Sequence, residues 1–134
     1  MAASKRFRCT IFRYDNVYGP RQGAQGEASV TRIFIDTLRQ QKLFALYAFD
    51  NDSRGMTRDY VFVSDVAEAN ILALDRTMSD VFHIGSAIET HTLDLYEKFS
   101  TLSGVPMPLE FHPARLGDLA RSALDFRKAQ NALG

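Results

Sequence analysis

The chain has 134 residues, 46% of them hydrophobic and 24% charged, enough for one sizeable core and one domain, residues 1–134, or a large piece of one. Its 16 basic and 16 acidic side chains balance, so neither nucleic acid nor an anionic membrane surface is an expected partner. A lone cysteine, Cys9, excludes an internal disulfide framework, and neither an apolar signal run nor a stretch of roughly 20 apolar residues occurs, which leaves a cytoplasmic protein as the expectation.

Strand and helix patterns alternate along the chain, the arrangement of an α/β fold with mixed, mostly parallel strands and flanking helices. Phe7 to Tyr14 reads as a strand apolar on both faces, hence interior, with Cys9 buried in it and Asn16 at its end. A Gly/Pro/Gln loop follows. Val30, Ile33, Phe34 and Leu38 then recur at helical spacing from about Ser29 to Lys42, with Glu27 near the positive end of the helix dipole. Phe44 to Phe49 is a short strand, Asp50 to Gly55 a polar loop, and Tyr60 to Val63 an apolar strand. Ser64 or Asp65 caps the next helix, which runs to about Asp75, with Glu68 completing a capping box. Val81 to Ile84 is a brief strand. Leu95, Phe99 and Leu102 line a helix ended by Gly104 and Pro106. Pro108 to His112 is extended, and Asp125 caps a last helix through Leu133 that ends at Gly134.

Two cofactor signatures fail on inspection. Gly19, Gly23 and Gly26 lie between a strand and a helix, the setting of a dinucleotide-binding loop, but their spacing is wrong and Pro20 offers no N–H to a pyrophosphate. No tyrosine has a lysine four residues on, so the Tyr-x-x-x-Lys pair of short-chain dehydrogenases, in which lysine lowers the tyrosine pKa, does not occur. His83, His91 and His112 stand too far apart to suggest a metal site, and no catalytic residue is assigned. What remains suits a phosphorylated ligand. Arg58 opens a buried strand and can meet phosphate oxygens bidentately, although beside Asp59 it reads from local sequence as a surface ion pair. Arg115 and Asp118 flank a glycine turn, and Asn16 sits at a strand end, where open α/β sheets bind ligands.

In order and spacing, Arg13-Tyr-Asp-Asn-Val-Tyr-Gly-Pro-Arg-Gln22, Arg58-Asp-Tyr-Val-Phe-Val-Ser-Asp-Val-Ala-Glu-Ala69 and Arg115-Leu-Gly-Asp118 resemble the C-terminal part of the extended short-chain dehydrogenase/reductase family, the NAD-dependent nucleotide-sugar epimerases and dehydratases. The resemblance covers nearly the whole chain. It implies that the NAD-binding half of such an enzyme lies before the first residue here, so that this chain holds the nucleotide sugar, a UDP-sugar, and is not catalytic alone. It further implies that Asn16 and Arg58 meet the substrate diphosphate, and that Arg115 and Asp118 meet phosphate and ribose. Main chain at Val30 and over Leu46 to Ala48 would hold the base, and Tyr14 would touch NAD. His83 stands where the family has asparagine, and Asp50 to Thr57 replaces a shorter turn. Two other readings stay open, a free-standing nucleotide-sugar binding module and a non-catalytic interaction remnant. A homodimer through the first strand is expected if its neighbouring strand is absent.

Overall fold

A computed structural model of the chain describes residues 8–23, 30–74, 76, 79–106 and 108–134. Phe7, Glu27, Ser29 and Asp75, named above as element ends or dipole partners, lie outside them, as does Gly26. Five strand pairings frame the fold, four of them parallel. Strand β1 (Thr10–Tyr14) pairs parallel with β5 (Asp80–Ile84), and β2 (Asn16–Tyr18) pairs parallel with β4 (Thr57–Phe62). Strand β4 also pairs antiparallel with β6 (Glu89–His91) and parallel with β8 (Arg121–Ser122), while β3 (Phe44–Ala48) pairs parallel with β7 (Leu109–Pro113). Four helices connect or flank them: α1 (Val30–Gln40), α2 (Val63–Leu74), α3 (Thr92–Ser103) and α4 (Arg127–Leu133). Mixed, mostly parallel strands with flanking helices are therefore what the sequence pattern leads one to expect. Among the described residues no helix is long and apolar enough to cross a membrane.

Two apolar clusters hold these layers. Val61 of β4, Phe82 and Ile84 of β5, Ala69 of α2, and Ala129 and Leu133 of α4 form one, with Phe12 packed against it. Phe34 of α1 with Phe44 and Leu46 of β3 form the other, covered by Tyr96 and Phe99 of α3. Phe34 and Phe44 rings lie 4.4 Å apart, in the range where tilted aromatic pairs gain beyond area burial. Alternation explains the inward set: β4 buries Thr57, Asp59 and Val61, and β3 buries Phe44 and Leu46, every second residue in each case.

Several expectations need correction. The first strand is not one interior strand. It breaks at Asp15, whose N–H donates to the Ile84 carbonyl (3.0 Å), and Asn16 opens β2 in a different sheet instead of ending β1. Cys9 precedes β1 and is exposed, and Ile11 on β1 is 50% exposed. Helix α2 begins at Val63, so Ser64 and Asp65 occupy its first turn and do not cap it; the Ser64 hydroxyl donates to Asp65. Asp125 stands one residue before the cap position of α4, yet its carboxylate accepts the Arg127 backbone N–H (3.0 Å), which is the work expected of a cap. Gly104 does end α3 in a left-handed conformation, φ 65°, returning its N–H to the Ser100 carbonyl. The two-residue β8 and three-residue β6 carry no strand signal of their own in the sequence.

Gly19 shows what its glycine is for. A Cβ there would lie 2.4 Å from Cγ1 of Val63, so the β2–α1 loop packs its backbone directly on the start of α2. Gln22 then ties the loop back, donating to the Val17 carbonyl (3.1 Å) and accepting from the Thr31 hydroxyl (3.3 Å). Both contacts hold the described part of this loop, up to residue 23, against the strand and helix that flank it.

Candidate ligand-binding site

A cavity of about 650 Å³ opens between the two halves of the core. Six separated segments line it: Asp15 to Val17 after β1, Gln22 with Val30, Ile33 and Thr37 of α1, Leu43 to Ala45 and Tyr47 at β3, Met56, Arg58 and Tyr60 at β4, Thr92 at the start of α3, and Arg115 with Asp118 after β7. Asn16, Val30, Arg58, Arg115 and Asp118, which are spread over 103 positions of sequence (118 − 16 + 1), all face this one space. Asp15 and Asn16 follow the carboxyl end of β1 and Arg115 follows that of β7, the ends where open α/β sheets place ligands. The volume is that of a drug-sized or nucleotide-sized pocket.

Strand alternation separates Arg58 from Asp59. Asp59 is fully buried, 0% exposed, on the core face. Its carboxylate accepts the Ser86 N–H (2.8 Å), the Ser86 hydroxyl (2.6 Å) and the Ala87 N–H (2.9 Å), and leaves no room for a Cβ at Gly85, where one would come within 2.5 Å. The local ion pair suggested by the sequence does not form. Arg58 instead points to the cavity face, held by main chain: Nη1 donates to the Thr57 carbonyl (2.7 Å) and to the Leu119 carbonyl (2.9 Å), with Nη2 3.3 Å from the Met56 sulfur. Such a guanidinium is oriented without being neutralised, which suits it to an anionic ligand.

The second cation is built by a turn. Asp118 accepts the Arg115 N–H on Oδ2 (2.9 Å) and returns its own N–H to the Arg115 carbonyl (3.0 Å), with Gly117 at φ 92° between them. The Arg115 guanidinium lies 3.9 Å above the Tyr47 ring, a cation–π contact that sets its direction, and the Tyr47 hydroxyl holds its pKa above the ordinary arginine value. Tyr47 in turn stacks on His112, 5.4 Å away, which contacts Glu110 at 3.3 Å. Among the described residues neither Arg58 nor Arg115 is ion-paired, whereas Arg32, Arg54, Arg121 and Arg127 all are. Loop and strand are joined where Thr57 donates its N–H to the Ala120 carbonyl (2.9 Å), so the two cations share one frame.

Electrostatics beside these cations are uneven. Burial pushes the Tyr60 phenol up to about 12, keeping it neutral at the cavity wall. Asp15 is also raised above the ordinary carboxylate value, first by burial and then by the nearby Asp59 charge. Glu89, outside the cavity, is drawn down to about 2 by Arg121, which contacts it at 2.6 and 2.9 Å, and by the Thr57 hydroxyl at 2.6 Å. Within the Leu46 to Ala48 stretch Tyr47 lines the cavity, whereas Leu46 is wholly buried in the core; Phe44 and Ala45 are the further residues of β3 that line it. Tyr14 lies away from this space, exposed, its hydroxyl 3.0 Å from Asn70 Nδ2. Sequence reasoning overlooked Asp15, Tyr60 and Met56; for Asp15 the signal was its place beside Asn16.

Two arginines without an ion-pair partner among the described residues, an amide and a turn carboxylate thus meet in one cavity at strand ends of an α/β fold. The model of the NAD-dependent epimerase/dehydratase family matches residues 1–85, more than half of the chain. The chain belongs to that family. The UDP-glucose 4-epimerase of Mycolicibacterium smegmatis is 40% identical over 127 residues, 94% of this chain and 39% of that protein. Among solved structures, the UDP-glucose 4-epimerase of Thermotoga maritima with UDP-glucose shares 36% identity and superposes with a TM-score of 0.82, covering 92% of this chain and 39% of its own. The UDP-glucose 4-epimerase of Thermus thermophilus in complex with NAD also shares 36% identity, with a TM-score of 0.80, over 91% and 39%. The chain thus spans about two fifths of the length of the relatives it matches.

Proposed function

We propose that this chain is the substrate-recognising, C-terminal part of an NAD-dependent nucleotide-sugar epimerase of the UDP-glucose 4-epimerase kind. Convergence of Asn16, Arg58, Arg115, Asp118 and Val30 on one cavity is the observation that carries the reading. In it, Arg58 and Arg115 hold the two phosphates, Asn16 donates to the same diphosphate, and Asp118 accepts from ribose hydroxyls. Main chain near Val30 and Ala45 to Tyr47 holds a uracil. Each role follows from donor type: guanidinium and amide N–H donate to phosphate, and a carboxylate accepts from hydroxyls.

NAD supplies hydride chemistry to enzymes of this family, and the residues described here do not fit it. Gly19 is packed on Val63, Pro20 lacks an N–H, and the Tyr14 hydroxyl is engaged by Asn70. No catalytic step is therefore assigned to this chain, whose task in this reading is to bind and orient the diphosphate.

Calorimetry with UDP-glucose tests the assignment. Arg58→Ala and Arg115→Ala are each expected to weaken binding by about 1.5–3 kcal/mol, the worth of a hydrogen bond to a charged group. Two variants that bind as tightly as the parent chain refute the mapping. NAD in the same cell is expected to give no saturable heat at millimolar concentration.

A further inference from the structure

Asp15 is the cavity-lining carboxylate that the reading above leaves without a task. It sits at the break between β1 and β2, one residue before Asn16. Two donors of Asn16 converge on a single oxygen of it: Oδ1 accepts the backbone N–H at 3.0 Å and the side-chain Nδ2 at 2.7 Å. We propose that Asp15 is a positioning residue for Asn16, fixing which end of that side-chain amide faces the bound diphosphate. The inference rests on the proposed role of Asn16 toward the substrate.

Donor and acceptor inventory decides the orientation. An ionised carboxylate can only accept, so the amide must turn its nitrogen, never its carbonyl, toward Asp15. Nδ2 carries two hydrogens. With one committed to Asp15, the second stays available to a phosphate oxygen, and the carbonyl is kept from meeting it. An unclamped amide has two near-equivalent orientations, one of which sets a carbonyl oxygen against the phosphates.

Keeping the clamp charged is costly, which argues against Asp15 being a mere turn residue. Among the described residues its buried Oδ2 meets no hydrogen-bond partner at close range, although the main chain of Leu124 and the donors of Asn16 favour the charged form. Asp59 on β4 repels it, Tyr60 of the same strand is the other titratable group beside it, and Arg58 acts on Tyr60 from the cavity face. From the 123–126 segment the main chain of Leu124 faces it. A folded pKa above the ordinary carboxylate value means that the ionised clamp is lost on acidification sooner than an ordinary carboxylate would lose its charge.

The test uses UDP-glucose, whose diphosphate has no group titrating between about pH 7.5 and about pH 4.5, with the whole chain and its isosteric variant Asp15→Asn. In the wild type, affinity is expected to drop on acidification. Asp15→Asn is expected to bind about 3- to 10-fold more weakly at neutral pH, the fold-change of one hydrogen bond, and to lose the component of the pH profile due to Asp15. A second measurement needs no variant of Asp15: the side-chain amide resonances of Asn16, assigned by their loss in Asn16→Ala, should titrate with the carboxyl. Asn16 resonances indifferent to pH overturn the proposal. Binding that Arg58→Ala weakens but Asp15→Asn leaves within about twofold, with the pH profile kept, overturns it while sparing the proposed function. A wild-type chain that does not bind UDP-glucose overturns both.

Discussion

Asp59→Asn is the sharpest perturbation the fold offers, because it nearly keeps shape and volume while removing the charge and replacing one acceptor oxygen by an NH2 donor. The Ser86 N–H is shared by both oxygens of the carboxylate, at 2.8 Å from Oδ1 and 3.0 Å from Oδ2, while Oδ1 also takes the Ser86 hydroxyl and Oδ2 the Ala87 N–H. An asparagine keeps one oxygen. With that oxygen in the Oδ2 place it still accepts both backbone N–H groups, but the NH2 group replaces the acceptor of the Ser86 hydroxyl and the remaining bonds lose their charge assistance, together a cost of about 1.5–3 kcal/mol. The Ser86 hydroxyl can rotate to suit, and removal of the charge relieves Asp15, which together offset about 1 kcal/mol. The net loss expected is therefore about 1 kcal/mol, a sizeable share of the roughly 5–15 kcal/mol typical of domains. Urea unfolding reads it as a midpoint lowered by about 0.5 M at unchanged slope, with hydrogen exchange of Ser86 and Ala87 accelerated. A loss under about 0.5 kcal/mol with both amides still protected would refute the reasoning, and would mean that another acceptor holds that turn.

Three further outcomes follow from other parts of the fold. Gly19→Ala should cost about 1–3 kcal/mol, the range for overpacking, because its Cβ would meet Cγ1 of Val63 at 2.4 Å; denaturant midpoints measure it, and Val63→Ala should restore part of the loss. Glu89 has a folded pKa of about 2 against 4.5, so its contribution to stability is present above the unfolded value and lost as pH falls toward 2; in Arg121→Ala the Glu89 carboxyl carbon signal should titrate closer to 4.5. Ile11, half exposed on a strand that pairs only with β5 among the described residues, should promote self-association that light scattering detects at micromolar concentration and that Ile11→Lys reduces; a parent chain that stays monomeric rules this out.

Legibility in the sequence followed the range of the interaction. Helices α1 and α3 and strand β3 announce themselves through local period and end signals, which act over a few residues. Asp59 was misjudged because its partners, Ser86 and Ala87, lie 27 and 28 residues further on, and a carboxylate next to an arginine looks paired until alternation puts the two on opposite faces. Cys9 and Ile11 look interior because apolar residues on both faces usually mean a doubly covered strand. β6 and β8 escape because strands of three and two residues owe their form to β4. The arginines and Asn16 were named through resemblance, since nothing in their neighbourhoods tells a ligand contact from an ordinary turn residue. Their meeting in one cavity is a property of topology: parallel pairing of β2 and β8 with β4 brings the chain that follows β1 and the chain that follows β7 to the strand that carries Arg58.

The opposed faces of β4 set a rule for how this chain can vary. Adding or deleting one residue within Thr57–Phe62 would exchange the parities of Arg58 and Asp59, turning a carboxylate toward the cavity and a guanidinium into the apolar interior. Three neighbours, β2, β6 and β8, pin that register from both edges. Insertions and deletions are thereby pushed upstream into Asp50 to Met56, where the chain passes through turns before entering the strand. In a set of relatives, gaps should accumulate there and stop short of Thr57, so that length changes spare the site while a single slip inside the strand would dismantle both ligand binding and the core.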